Sequence, residues 1–504
     1  MKKKQSHSRF IIILAVFITV VNLLIYNDIA SFWDEGEAAL LSFMVQTAPL
    51  KGGTIAPLPF RLLEQIYAYA PLSSILLRLP ATFAVLMTLG GLYFLGRRIF
   101  SEPAARMATL VAACSFLLLF LGKLVAVDAW LIAAQTFQIL GLIYYLKQPQ
   151  IEWSFRSNLP FFLGCYFAPI PMFLWSGAIL LFFGIFHKNG KHILKPIFSI
   201  PFILTIIIVV VSGGLSWETP GLLMAWPERN VGSFLIYNLL AYLPWLAFFP
   251  AAFWDTLKKL RKREELAIVY AGWLVGALAC GTGVLQIVLA LMIGRHVLFY
   301  FQKNYPYRGV VRSMIVTHFI LAFFILFGFI MLAGYNQFGS AGYRAAISVA
   351  IAYWGGSLVS VTAIFSERQS RLTGSLAVAA MIGFLMFWLN GMPLLENRKG
   401  AHRIMVEKAK NYRSPDTKQL IFFIETPGHF RSSTAIYTEA AGIKLQGLAA
   451  DKIATTKRNT SDLVVLSKDR FLKTSPPPII LRDSVNIYPG ITEAPVKYYI
   501  GKWR

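Results

Sequence analysis

Three carboxylates in four positions, Asp34-Glu35-Gly36-Glu37, follow the first long apolar run of this 504-residue chain. Acidic residues are scarce elsewhere, with 24 Asp and Glu against 48 Lys and Arg. Asp128 opens a later apolar run beside Ala129-Trp130-Leu131, and Glu218 and Glu228 share a short loop with Arg229. Lys51, Arg61, Arg78, Lys123 and Arg344 are positive charges expected at or outside the same membrane face. Carboxylates beside phosphate-holding cations suit one chemistry well, in which an acceptor hydroxyl is deprotonated while a lipid phosphate departs as an anion. A plainer role stands beside this, since acids at a helix start also satisfy the dipole. Asp128 can likewise be an N-cap, although ionisable groups at membrane depth are functional by default.

Other chemistries find no support in the residues. Cys114, Cys165 and Cys280 all lie in apolar runs without metal-ligand spacing and read as buried helix residues. Arg295-His296 reads as an interfacial anchor on the opposite membrane face, and His318 and His402 stand alone in the sequence. No His, Cys and carboxylate grouping specifies zinc, so no cofactor is assigned and a divalent metal has no ligand motif behind it. A Walker A sequence, a dinucleotide fingerprint and a nucleophile elbow are all missing. That argues against an ATP-driven pump and against a nucleotide-sugar donor in a Rossmann domain, and leaves lipid-linked donors open.

The elements that must position these groups are membrane helices. Hydrophobic residues make up 56% of the chain, charged residues 14%, and the mean hydropathy is +0.59. Soluble domains carry roughly 25% charged residues. Apolar runs of about 18–20 residues, long enough for a hydrocarbon core of roughly 30 Å, recur from residue 10 to about 391. The formal charge of +24 does not indicate nucleic acid. Much of it sits in short clusters between runs, such as Arg97-Arg98 and Lys258 to Arg263, as the positive-inside rule produces. The run from Phe10 to about Tyr26 is long for a signal peptide and lacks a cleavage site, so it is expected to be an uncleaved anchor with a cytoplasmic N-terminus.

Basic flanks on both sides of several long runs demand paired crossings. Residues 159–187 split at Pro169-Ile170-Pro171, 266–300 at Gly281-Thr282-Gly283, and 103–146 at the loop Gly122 to Asp128. The expected crossings include 10–27, 78–96, 103–121, 128–146, 232–254 and 372–391 among about thirteen in all. An odd number places the tail outside, in the periplasm of a bacterial inner-membrane protein. Two interfacial amphipathic helices, 35–45 and 60–70, are expected in the first external loop. The expected domains are a membrane domain, 1–391, and a small α/β domain, 392–504. In the tail the apolar runs shrink to strand length at Leu420 to Ile424, Leu463 to Leu466 and Ile479 to Leu481, with a helix expected over Ser432 to Ala441.

Phe32-Trp33-Asp34-Glu35-Gly36-Glu37-Ala38 after the first helix, Arg78-Leu79-Pro80 entering the second and Asp128 opening the fourth form an ordered pattern. Together with the aromatic, proline-containing stretch Leu240 to Trp254 and the external tail, this pattern resembles the GT-C superfamily of lipid-phosphate-sugar glycosyltransferases. The likeness is especially to the aminoarabinose transferases and the protein O-mannosyltransferase-like enzymes. The resemblance spans essentially the whole chain. It implies a GT-C-like fold and an inverting transfer of a sugar from a polyprenyl phosphate to a glycolipid, polysaccharide or protein acceptor. It also implies Asp34 as the leading carboxylate, with Glu35 in support and Asp128 as a second carboxylate, and binding roles for Lys51, Arg61, Arg78 and Arg229. Glu37 gains nothing from the match. One departure is evident: where the aminoarabinose transferases carry Glu-Lys-Pro-Pro-Leu, this chain has Thr54-Ile55-Ala56-Pro57-Leu58. The charged pair is therefore not carried over; Lys51, Arg61 and Arg229 are the candidates to replace its cation. Two other classes compete. A transporter or lipid flippase predicts midplane charges and internal repeats, neither of which the sequence presents. A non-catalytic assembly protein predicts a tail that binds a partner.

Overall fold

The computed structural model describes residues 12–25, 74–193 apart from 125–126, 149 and 152–154, a few positions within 203–207, and 231–394 apart from 282–284 and 336–338. From 401 onward it describes all but 418, 425–433, 435–436, 439–440, 454, 457, 474–477 and 488–495. The chain divides into two units, Met1–Ile25 with Arg78–Trp388, and Tyr26–Leu77 with Leu389–Arg504. The two expected interfacial helices fall outside the described residues.

Among the described residues the first unit is built of helices and contains no strand. Its helices are α1 (Ile12–Leu24), α2 (Ser74–Phe94), α3 (Glu102–Ala113), α4 (Phe116–Lys123), α5 (Asp128–Lys147), α6 (Phe155–Phe167), α7 (Pro169–Phe186) and α8 (Val231–Leu240). They continue as α9 (Phe249–Arg261), α10 (Glu265–Cys280), α11 (Leu285–Tyr300), α12 (Arg308–Tyr335), α13 (Gly339–Phe365) and α14 (Gln369–Met386). Among the described residues five helices are long and apolar enough to cross a membrane, or six if the bent pair α3–α4 makes one crossing. Burial separates inner helices from outer ones. The apolar stretch of α5 is 72% buried by protein, that of α12 only 18%. Phe323, Phe324 and Phe327 of α12 are exposed, as a face turned to lipid would be.

The proline and glycine breaks fall where expected at Ala168, between α6 and α7, and after Cys280, which ends α10. Two expected crossings are instead interrupted within the membrane domain. The 103–121 run bends by 62° between α3 and α4. Ser115 caps α4, and the freed Phe116 N–H donates to the Ala241 carbonyl at 2.9 Å. The expected crossing 232–254 stops at Leu240 and restarts, through a short turn at Leu246–Phe248, as α9. Broken helices survive at membrane depth only where neighbours satisfy the freed backbone. Here the Ala241 carbonyl takes the Phe116 N–H, and a group of side chains knits the two breaks together. Ser115 donates its hydroxyl to Gln286 Oε1, and Gln286 Nε2 donates to Asn238 O (3.0 Å) and Oδ1 (2.8 Å). Tyr242 closes the group by donating to the Gln286 carbonyl.

The tail contributes α15 (Ala401–Asn411), β1 (Gln419–Ile424), β2 (Lys444–Ala449), β3 (Leu463–Ser467), α16 (Lys468–Lys473), β4 (Ile479–Ile487) and β5 (Val496–Trp503). The five-stranded sheet runs β2-β1-β3-β5-β4, parallel across β2, β1 and β3 and antiparallel at β5 and β4. Both faces are covered, so β1 and β3 read as unbroken apolar runs rather than alternating ones. Leu420, Phe422, Leu463 and Val465 pack with Met405 and Val406 of α15, while Ile421, Phe423, Val464 and Leu466 pack with Trp503 on the other face. The three expected strands are present; β2, β5, α15 and α16 are additional. Of the expected helix over 432–441, only Thr434, Tyr437 and Thr438 are described.

Candidate functional site

Of the site residues expected from sequence, Asp34, Glu35, Lys51, Arg61 and Arg229 lie outside the described residues. Arg78 and Asp128 are described, and both are buried in the helical unit, at 2% and 0% exposure. Asp128 is the first residue of α5, with Val127 in the N-cap position. The N-cap position thus falls to a residue with no side-chain acceptor, and the alternative role of Asp128 as cap is not the one it takes. A carboxylate removed from water in the first helical turn carries a large desolvation penalty unless it is engaged. Trp130, two positions on, stacks on Phe167 with ring centroids 5.2 Å apart and tilts against Phe83 at 6.0 Å, forming an aromatic wall at this end of α5.

Arg78 donates from Nε to the carbonyl of Lys123 at 2.7 Å. One turn further along α2, the Thr82 hydroxyl donates to the carbonyl of Gly122 at 2.9 Å. The Gly122-Lys123 corner at the end of α4 is thus held by two side chains of α2. Its own side chain reaches the other way. Lys123 Nζ donates to the Val21 carbonyl at 2.8 Å and to the Ile25 carbonyl, both at the end of α1, and lies 4.8 Å from the Trp388 ring centroid. Trp388 in turn stacks on Phe384 and meets Phe120 edge-on. The sequence placed Lys123 among external or interfacial cations, whereas its side chain is fully buried. It was not among the site residues expected from sequence; its place directly before the loop to Asp128 was the signal available.

The Gly122 backbone passes so close to α1 that a Cβ there would lie 2.4 Å from Asn22 Nδ2 and 3.0 Å from Val85 Cγ2. Asn22 is itself fully buried, and neither of its amide atoms has a hydrogen-bond partner among the described residues. It sits in a π-helical turn, Val20–Leu24, a distortion often found at functional sites. The described part of the site is therefore a junction of three helix ends: the end of α1, the start of α2 and the α4–α5 corner. Arg78, Lys123 and Asp128 are its ionisable groups.

At the basic end of the bundle the expectation for Arg295-His296 needs correction. His296 is buried rather than an interfacial anchor, because α9 and the 301–307 loop enclose it. Its Nε2 is 3.4 Å from Asp255 Oδ2, and its Nδ1 is 2.8 Å from the Tyr305 hydroxyl. Lys259 pairs with the same carboxylate oxygen at 2.7 Å. Burial alone would raise the Asp255 pKa. Hydrogen bonds from His296 and Lys259, with their charges, outweigh it and bring the value down to about 2. His318 and His402 are also partnered, by the Tyr353 hydroxyl at 2.6 Å and the Thr434 hydroxyl at 2.8 Å. Among the described residues no group of three or more His, Cys, Asp or Glu side chains is placed to hold a metal ion.

Residues 56–217 match the family profile of dolichyl-phosphate-mannose-protein mannosyltransferases. Among solved structures, ArnT from Cupriavidus metallidurans bound to undecaprenyl phosphate superposes with a TM-score of 0.64 at 12% identity, covering 98% of each chain. The apo form of that protein gives a TM-score of 0.61 at 14% identity, over 99% of this chain and 98% of the other. No curated protein sequence matches this chain.

Proposed function

We propose that this chain, whose fold is that of the GT-C glycosyltransferases, moves a sugar from a polyprenyl phosphate to an acceptor on the outer face of a bacterial cytoplasmic membrane. The observation that carries the reading is the fold likeness over 98% of both chains to a protein bound to undecaprenyl phosphate. The residues supply a consistent chemistry. Asp34 acts as base and takes the proton of the acceptor hydroxyl, with Glu35 supporting it and Asp128 as a second carboxylate of the reaction. The acceptor oxygen attacks the anomeric carbon from the side opposite the phosphate, so the configuration inverts. The bond to the phosphate oxygen breaks, and the polyprenyl phosphate leaves with the electron pair. Arg78, Lys51, Arg61 and Arg229 are the cations available to stabilise that leaving anion. The donor's hydrocarbon chain lies in the bilayer, which accounts for the amount of chain devoted to membrane helices. In this reading about thirteen crossings carry the chain from a cytoplasmic N-terminus to a periplasmic tail.

Asp34→Asn tests the assignment. In proteoliposomes supplied with polyprenyl-phosphate sugars and candidate glycolipid, polysaccharide and protein acceptors, the native chain releases polyprenyl phosphate. The variant is expected to lose at least about 100-fold in rate, the lower range for a missing general base, while inserting normally. Full activity of the variant would remove Asp34 from the reaction.

A further inference from the structure

We infer that Lys123 is a positioning residue: it locks the membrane exit of α1 and so sets where the chain departs toward Asp34, nine residues beyond Ile25. Its relevance to catalysis rests on the proposed transferase reading; the lock itself does not.

The argument begins with the backbone of α1. In a regular α-helix the Ile25 N–H would bond to the Val21 carbonyl. Here it donates one residue further back, to Val20 O at 3.2 Å, because Val20–Leu24 is a π-helical turn. The Val21 carbonyl is thereby released from its usual partner, and Lys123 Nζ donates to it at 2.8 Å. The same nitrogen also donates to the Ile25 carbonyl, one of the orphan acceptors every helix leaves at its C-terminus. The π turn and the lysine are two halves of one device. Neither makes sense alone, since an unfilled carbonyl in this buried setting would carry a penalty.

A lysine near a helix C-terminus can hydrogen-bond the last carbonyls, and a surface lysine could provide that much. Lys123 differs in being completely buried, under the face of Trp388. Its backbone is pinned from the opposite side by Arg78 and Thr82 through the Lys123 and Gly122 carbonyls. The side chain thus carries the position of α2 and the α4 corner to the end of α1. Such a coupling is costly to build, because a buried amine must replace its lost water with hydrogen-bond partners. It serves the helix end that leads to the carboxylate cluster.

Lys123→Met keeps the bulk and removes the donors; Lys123→Arg keeps N–H donors but changes their geometry. Hydrogen exchange of peptides covering 19–40 and 128–147 reads the lock directly, in the full-length protein in nanodiscs. Lys123→Met is expected to accelerate exchange in 19–40 by about tenfold or more and to leave α5 unchanged. In turnover with a polyprenyl-phosphate sugar, kcat is expected to fall by about tenfold or more with KM for the lipid donor within about threefold, and Lys123→Arg to recover part of kcat. Unchanged exchange in 19–40 overturns the inference. So does acceleration spread equally over α2 and α5, which would make Lys123 a general packing residue. A kcat unchanged beside a loosened 19–40 segment overturns the catalytic consequence. If the native protein turns over no lipid-linked sugar, the transferase reading falls, and the exchange measurement still decides the lock.

Discussion

Gly122 and Asp255 show how single residues carry distinct burdens at the two ends of the bundle. At Gly122 the constraint is space. A methyl group there would be driven into Asn22 and Val85, so Gly122→Ala is expected to destabilise by about 1–3 kcal/mol, the usual range for overpacking. A lowered thermal midpoint in detergent, with slower turnover, would be the readout. At Asp255 the constraint is charge. Its carboxyl is held down to about 2 in the folded protein against roughly 4 when unfolded. A depressed carboxylate pKa stabilises above the unfolded value and loses that contribution as pH falls through the folded one. Thermal stability should therefore drop between about pH 4 and pH 2, and Asp255→Asn should be less stable at neutral pH and flatter across that window. An unchanged profile would mean that His296 and Lys259 do not hold the carboxylate. Glycine and aspartate were both visible in the sequence, but the atoms that crowd one and charge the other come from distant stretches of chain.

Among the elements, the breaks matter more than the spans. Proline and glycine announced the breaks after Phe167 and Cys280, since both residue types act on their own backbone. The break at Ser115 carried no such mark. It depends on Gln286, more than 170 positions away, and on Asn238 and Tyr242. Gln286→Leu is expected to leave Ser115 and Asn238 without their buried partner at about 1–3 kcal/mol for each orphaned group. The effect should appear as a lower melting midpoint and a loosened α3–α4 bend by hydrogen exchange. In the tail, β1 and β3 were readable because burial on both faces makes the whole strand apolar. The edge strand β2 (KLQGLA) carries Gly447 and is mostly exposed, so its pattern is too weak to stand out. Phe422 lies at the centre of one face, stacked on Tyr498, and Phe422→Ala should destabilise the tail by about 3–5 kcal/mol.

For the whole molecule the proposed orientation is the property most directly open to test. Single cysteines at exposed Lys473 and Lys262 would stand out, because the native Cys114, Cys165 and Cys280 are all buried. Lys473→Cys is expected to react with an impermeant maleimide from outside the cytoplasmic membrane, and Lys262→Cys only after permeabilisation. The reverse pattern would invert the proposed topology.

Membrane character, the existence of a tail domain and the resemblance to lipid-dependent glycosyltransferases were all determined by the sequence alone. Each depends on signals that survive in one dimension: the length of an apolar run, the side on which Lys and Arg collect, the order of short motifs. What only the tertiary structure decided is which of the scattered charges share a place. Arg78 and Lys123 are 45 positions apart, and Lys123 and Val21 are 102 apart. Nothing in local propensity or hydropathy records that a lysine expected at the membrane surface is buried against the carbonyls of the first helix. Helices in a bilayer are specified one by one by their apolar length, but their neighbours are chosen by packing and by buried polar contacts. Those contacts turned Lys123 from one external cation among five into the residue that joins α1, α2 and the corner before Asp128.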